Sequence, residues 1–320
     1  MGTIRVGVVR GGLGGEYEVS LKTGGSVLRH LPAHYLGRDI LITKDGQWHL
    51  GGLVTTPDRV AKSVDVIFNA LHGEFGEDGQ IQKLFDDLGV KYTGAGHLAS
   101  AVAMDKQTSK MMFTKAGLKV PCGKLVRADQ DVAEVVALIF RQLPPPWVVK
   151  PADRGSSVGL FLTRTVQQLT DAIKSCFTYT DNVLVEEYLR GKEATVGVVE
   201  GLRNKSLYAL LPIEIRRPTG KAVWDYGDKY NGTTQEVCPG NFTIDEKEEL
   251  SRQAALAHQV LGLAHYSRSD FMVTPRGIYI LETNSLPGMT SESLLPKALQ
   301  AVGIEYPHFL DHVLRLALND

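Results

Sequence analysis

Cysteine is scarce in this sequence. Among 320 residues there are three, Cys122, Cys176 and Cys238, far apart and without a Cys-x-x-Cys pair. That argues against a disulfide framework or a zinc site and fits a reducing compartment. An excess of charge is missing as well: 35 Lys and Arg stand against 36 Asp and Glu, a formal net charge of -1. No global field recruits nucleic acid or an anionic membrane, although a local basic pocket stays open. No apolar run approaches the ~18 residues of a membrane span. The opening stretch MGTIRVGVVRGG has Arg5 and Arg10 inside its apolar residues, so it lacks a signal-peptide core and reads as a first strand. Together these absences predict a cytoplasmic protein. Histidine pairs fit metal sites poorly: Pro32 interrupts His30 and His34, and His308 with His312 lacks the glutamate of a His-Glu-x-x-His site. There is no internal repeat or low-complexity tract.

What is present is an ordinary globular composition, 43% hydrophobic and 22% charged, at a length that predicts two or three compact units. IRVGVVR followed by GGLGG reads as a strand meeting a glycine turn, with a helical segment after it. DILIT and VDVIFNA read as buried strands and IQKLFDDLG as a helix, so the first ~100 residues alternate as a doubly wound sheet does. The stretch from Ala99 to Ala116 predicts one strong helix, closed by Gly117. After Asn182 the strands VLVEEYL, EATVGVVEG, SLYALLPIEI, SRSDFMV and GIYILETN come close together, with one helix, DEKEELSRQAALAHQVLG. A strand-rich half with few covering helices predicts an antiparallel-sheet α+β unit.

Several stretches carry possible chemistry. In LETNSLPGMTSESLLP, residues 281–296, Glu282 and Asn284 stand two apart at a strand end and so share a face. Two oxygen ligands on one edge suit Mg²⁺; a strand end that merely turns polar reads the same. Arg268 and Asp270 in SRSDFMV repeat this spacing, as an oxyanion and metal pair or as a surface ion pair. KPADRGSSVGL, residues 150–160, is either a hydroxyl-lined turn able to approach phosphate, with Lys150 at the strand end, or a plain hairpin turn. It is not a Walker loop, because no Gly-Lys-Ser/Thr follows. GGLGGEYE, residues 11–18, places Tyr17 where a dinucleotide fingerprint needs its third glycine, which weakens an NAD reading. The turn can instead expose Glu16 to a substrate ammonium. His72, in LHGEFGEDGQIQ, is a loop or core histidine or a substrate contact.

Taken in order, GGLGGEYEVSL, LHGEFGEDGQIQ, YTGAGHLASAVAMDK, VVKPADRGSSVGL, VLVEEYLRGKEATVGV, WDYGDKY, SRSDFMV and LETNSLPGMTSESLLP resemble the ATP-grasp superfamily, and within it the D-alanine:D-alanine ligases, over nearly the whole chain. The resemblance implies an ATP-grasp fold of mixed α/β and α+β character. It would have an N-terminal Rossmann-like unit (1–100), a central α+β unit (101–185) and a C-terminal antiparallel-sheet unit (186–320). It implies a cytoplasmic homodimer, with no nucleic-acid or membrane partner, that makes D-alanyl-D-alanine for peptidoglycan. One D-alanine carboxylate attacks the ATP γ-phosphate, and the acyl phosphate is attacked by the amine of a second D-alanine. Lys106, Lys150 and Lys229 would contact the ATP phosphates. Glu186, Glu187, Tyr188 and Leu189 match the adenine-binding segment and Glu193 the ribose contact. Asp270, Glu282 and Asn284 would hold two Mg²⁺, which Mn²⁺ can replace. Arg268 and the Gly288 N–H would meet the tetrahedral oxyanion. Glu16, Ser156 and Tyr230 match a trio that orients the first D-alanine. His72 would lie near that substrate, and Ser293 and Leu294 near the carboxylate of the second.

The sequence departs from the family pattern where Gly14 replaces a serine, His265 a glycine and Ser269 an apolar residue, the last two behind Arg268. A related ligase using D-lactate or D-serine is the nearest alternative, against which the intact Lys-Tyr pair of WDYGDKY speaks. A non-catalytic nucleotide or amino-acid binding protein is an alternative of another class.

Overall fold

The computed structural model describes residues 3–155, 159–217 and 234–319. In the first third, β1 (Ile4–Gly11), α1 (Tyr17–His30), β2 (Tyr35–Ile42), β3 (Trp48–Leu50), β4 (Leu53–Thr55), α2 (Pro57–Ser63), β5 (Val66–Asn69) and α3 (Gln80–Asp87) follow one another. Their sheet has the order β4-β3-β2-β1-β5. β1 lies parallel between β2 and β5, as buried Val, Ile and Phe runs with helical connections dictate. The short β3–β4 hairpin extends this sheet antiparallel, which the simple strand-helix alternation did not anticipate. The turn after β1 needs glycine: Gly11 has a φ of +91°, and a Cβ there would lie 2.1 Å from the Ile42 carbonyl oxygen. That tight turn sets Glu16 at the N-terminus of α1.

The single helix expected between Ala99 and Ala116 is two. α4 (His97–Met104) ends at Asp105, whose backbone is extended and whose side chain accepts the Thr108 N–H to cap α5 (Lys106–Lys115). An aspartate satisfies free N–H groups better at a helix start than it serves in a helix interior, so the chain breaks there. Lys106 thereby becomes the first residue of a helix.

A second sheet follows. It is built from β6 (Gly123–Arg127), β7 (Trp147–Pro151), β8 (Phe161–Thr163) and β9 (Asn182–Glu187), with α6 (Val132–Gln142) and α7 (Val166–Cys176) interspersed. The order is β6-β9-β7-β8, antiparallel throughout. Val126, Trp147, Val149, Ile173, Val183 and Val185 form its own core. KPADRGSSVGL lies between β7 and its antiparallel partner β8, a connection that both readings of the stretch share; Ser156, Ser157 and Val158 lie outside the described residues.

The third sheet holds β10 (Lys192–Glu200), β11 (Leu207–Ala209), β12 (Ile213–Arg216), β13 (Gln235–Val237), β14 (Tyr266–Thr274) and β15 (Gly277–Asn284) in the order β13-β12-β10-β14-β15, with β11 beside β10. α8 (Ile244–Val260), α9 (Leu294–Ala301) and α10 (Tyr306–Asn319) complete the chain. Alternation gives this sheet two unlike faces. Ala194, Val196, Phe271, Val273, Ile278 and Ile280 pack with Phe113 of α5 and with Leu250, Ala254 and Ala257 of α8. α10 crosses back to pack on α1 and β5, so that Phe309, Leu310, Val313 and Leu314 share one core with Val6, Val8 and Phe68.

A β-bulge lies where the strands turn polar. Asp270 is opposite Glu282 but Phe271 is opposite Ile280, which leaves Leu281 as the extra residue. One extra residue reverses the alternation. β15 therefore begins with Ile278 and Ile280 on the helix-covered face and ends with Glu282 and Asn284 on the other, in register with Asp270 and Arg268.

Candidate active site

A cleft opens between the second sheet and the β14–β15 hairpin, enclosing about 910 Å³ including the solvent at its mouth. Val148, Leu160, Leu189, Met272 and Leu281 give it apolar walls, while Lys106, Lys150, Glu186, Asp270 and Glu282 charge it. The resemblance assigned Lys106, Lys150, Glu186, Glu187, Tyr188, Leu189, Glu193, Asp270 and Glu282 to nucleotide and metal. All nine line this one cleft, although they come from widely separated stretches of the chain; Asn284, assigned to metal with them, is not among its lining residues.

Its floor is a buried charge cluster. Glu186 meets two lysines, Lys110 Nζ at 2.7 Å and Lys150 Nζ at 3.0 Å. Lys106 Nζ donates to the Arg154 carbonyl at 2.5 Å and lies 3.6 Å from Glu282. Burial pushes the Glu186 carboxyl up, but Lys110 and Lys150 outweigh it and hold the group below the ordinary carboxylate value. Burial lowers Lys106 despite Glu282, and lowers Lys110 to about 8 despite Glu186. For Lys150 the carboxylates Glu186 and Glu282 win over burial, so it stays protonated above the ordinary lysine value.

On the hairpin, the Arg268 guanidinium grips Asp270 with two bonds of 3.1 and 2.9 Å, and the Thr195 hydroxyl donates to the same carboxylate at 2.6 Å. The pair is buried, so the surface ion pair that the sequence left open is not what forms. Burial lowers the Arg268 pKa, but Asp270 more than restores it, so Arg268 carries a fixed positive charge. Asn284 Oδ1 accepts the Leu286 N–H at 2.8 Å, which fixes the chain's departure from β15. Among the described residues no three His, Cys, Asp or Glu side chains converge to hold a metal ion. Asp270 and Glu282 face each other across the register with Asn284 one pair further on. Two carboxylates and an amide are a hard-oxygen set that suits an ion keeping water and phosphate in its remaining positions.

Past the hairpin, a Cβ on Gly288 would lie 2.8 Å from Ser293 Oγ, so the backbone there passes close to that hydroxyl. Ser293 Oγ accepts the Thr290 N–H at 3.1 Å and stands ahead of α9, with Leu294 buried behind it.

Beside the cleft, loops of the N-terminal sheet approach the loop after β7. Glu16 Oε1 lies 2.8 Å from a Cβ built on Gly73 and 3.4 Å from one on Gly155, so its carboxylate sits between the loop of His72 and the loop after β7. His72 is buried and both ring nitrogens are engaged, Nε2 with the Thr23 hydroxyl at 2.8 Å and Nδ1 with Glu77 at 3.3 Å. Arg154 pairs with Glu74 and donates to the Tyr179 carbonyl, joining the same two loops. Ser156, Lys229 and Tyr230 lie outside the described residues.

Glu187 and Glu193 are engaged by their side chains. Glu187 accepts the Cys122 N–H at 3.0 Å and pairs with Arg276 at 2.6 Å, while Glu193 pairs with Arg217. The two departures behind Arg268 are accommodated. His265 takes a left-handed φ of +62°, held by its N–H to Glu200 and by the Gly94 N–H donating to its Nδ1. Ser269 faces away from the cleft and bonds Thr283 Oγ1 at 2.8 Å.

Lys110, Arg154, Thr195 and Arg217 escaped the reading of the sequence. Lys110 had a signal, four residues after Lys106 and therefore on the same helix face. Thr195 had only alternation with Glu193, since its partner Asp270 is 75 residues away.

Two antiparallel sheets closing on a lysine-lined cleft define the class, an ATP-grasp protein. Across 99% of this chain and 100% of theirs, the coordinates match the VanG D-Ala:D-Ser ligase from Enterococcus faecalis with a TM-score of 0.88 at 27% identity. They match the D-alanine–D-alanine ligase from Bacillus anthracis, solved in complex with ATP, with a TM-score of 0.82 at 28% identity, covering 99% and 98% of the two chains. The D-ala D-ala ligase C-terminus family model matches residues 112–315 and the N-terminus model residues 51–95. The D-alanine–D-alanine ligase of Syntrophobacter fumaroxidans is 38% identical over 99% of this chain and 98% of its own. The chain belongs to the D-alanine–D-alanine ligase family.

Proposed function

We propose that this chain joins two D-alanine molecules into D-alanyl-D-alanine at the expense of ATP, by way of an acyl phosphate, for peptidoglycan precursor synthesis. The observation that carries the reading is the meeting, in one cleft, of Lys106 and Lys150 with the Asp270–Glu282 edge. Cations for a polyphosphate and oxygens for a hard ion stand together as phosphoryl transfer requires. Full-length similarity to relatives of that name supports it.

In this reading Lys106, Lys150 and Lys229 neutralise the phosphates. The base lies between the Met272 and Leu281 wall and the Leu189 side, with Glu186, Glu187 and Tyr188 around it and Glu193 at the ribose. Asp270, Glu282 and Asn284 would hold two Mg²⁺, or Mn²⁺ in their place, which would supply charge neutralisation at the transferred phosphoryl. Glu16, with Ser156 and Tyr230, orients the first D-alanine. His72, locked by Thr23 and Glu77, shapes that subsite and keeps its loop in place rather than moving a proton. Arg268, permanently charged, and the Gly288 N–H meet the oxyanion when the second amine attacks the acyl phosphate, and phosphate leaves. Ser293 and Leu294 receive the second D-alanine's carboxylate. In this reading the enzyme works as a cytoplasmic homodimer, on neither nucleic acid nor membrane.

The test is phosphate release from ATP and Mg²⁺ with D-alanine, L-alanine, or D-alanine with D-serine or D-lactate in competition, and the mass of each product. D-alanyl-D-alanine from D-alanine alone is the expected result. A mixed dipeptide or depsipeptide formed in preference would reassign the second substrate, and no product with any of them would reject the reading.

A further inference from the structure

Glu186 is where two cations converge on one anion. Its carboxylate is buried, with Lys110 of α5 at one oxygen and Lys150 of β7 at the other. A buried carboxylate closed on a single lysine would cancel that lysine's charge and leave little field for an incoming anion. With two lysines the group keeps a charge of +1. Lys106 and Glu282 add nothing to that sum. Of the two partners of Glu186, Lys150 lines the open cleft and Lys110 lies behind it.

We propose that Lys110 is a positioning residue for the nucleotide: it holds Glu186 from the closed side, so that the Lys150 ammonium remains available to the polyphosphate on the open side. The inference rests on reading the cleft as an ATP site. It gives Lys110 a task distinct from packing, since the 2.7 Å contact links it to the cleft through one carboxylate.

The experiment measures ATP affinity by calorimetry on the full chain with Mg²⁺ and no D-alanine. The variants are Lys110→Met, Glu186→Gln and the double variant. Lys110→Met should weaken ATP binding about tenfold or more, because Glu186 then draws Lys150 to itself. In turnover, the KM for ATP should rise while that for D-alanine moves by less than about twofold. In the Glu186→Gln background the same Lys110→Met change should cost less than about threefold, since no carboxylate is left to compete. Unchanged ATP binding by Lys110→Met, or an equal loss in both backgrounds, would overturn the proposal. Should Lys110→Met not fold, the pair Glu186→Gln and Glu186→Gln/Lys110→Met decides alone: a large further loss overturns the proposal, and none supports it. Failure of the unaltered chain to bind ATP would instead overturn the reading of the cleft.

Discussion

Glu186 and Glu282 face the same cleft and carry the same charge, yet their surroundings differ. Glu186 is sealed between two lysines at 2.7 and 3.0 Å. The Glu282 side chain is about a third exposed, and its contact with Lys106, at 3.6 Å, is looser. A carboxylate saturated by cations is a counterion, whereas one left partly in water can be taken by a metal and a phosphate. Charge alone does not tell the two apart; burial does.

Substitutions can sharpen that contrast. Glu282→Ala should reduce metal-dependent phosphate release by about a thousandfold or more, with little change in the thermal midpoint, because the partly exposed carboxylate contributes to chemistry and little to folding. A normal rate in a stopped assay with saturating Mg²⁺ would remove Glu282 from the metal edge. Arg268→Met should reduce turnover by about a hundredfold or more and also destabilise the fold by about 3 kcal/mol, since it strands buried Asp270 without its partner. Rate measurements and thermal melts on one preparation separate the two effects. Gly288→Ala should lower kcat about tenfold by driving a methyl toward Ser293 Oγ and shifting the backbone there, by the sensitivity of catalysis to small misplacement. An unaltered rate would show that the loop absorbs the change.

The smallest effect concerns pH. Lys110 faces Glu186, and through it Lys150, with Glu282 beyond, and burial brings its pKa down to about 8. As pH rises from about 8 toward the ordinary lysine value of 10.5, the folded chain has released this proton while the unfolded chain still holds it. Stability from this group therefore rises with pH across that window. Over the same window the cluster loses its surplus charge, so ATP affinity should fall by roughly threefold in the ligand-free titration. A parallel fall of both quantities would contradict the assignment.

Much of the site could be read from the sequence because alternation is local. Glu282 with Asn284, and Arg268 with Asp270, need only period two to share a face. The bulge at Leu281 could not be read: Ile278 to Leu281 are apolar without a break, so the sequence marks no change of face, and only pairing with β14 reveals that one residue is surplus. The break at Asp105 was missed for a different reason. Its neighbours on both sides are strong helix formers, and a capping side chain shows itself only once the chain has bent. The sequence also suggested strand and helix layers in the right order. It did not suggest that α5 would pack against the third sheet, nor that the cleft would draw its cations from three separate stretches.

The return of α10 to the first sheet has a bearing on synthesis. Val6, Val8 and Phe68 share their core with Phe309, Leu310, Val313 and Leu314. A chain emerging from the ribosome has made β1 and β5 long before it has made the helix that covers them. At about 5–20 residues per second that interval is on the order of tens of seconds. During that time the nascent N-terminal sheet keeps one apolar flank uncovered, which makes it a candidate for chaperone attention and leaves completion of its core to a helix far downstream in the chain.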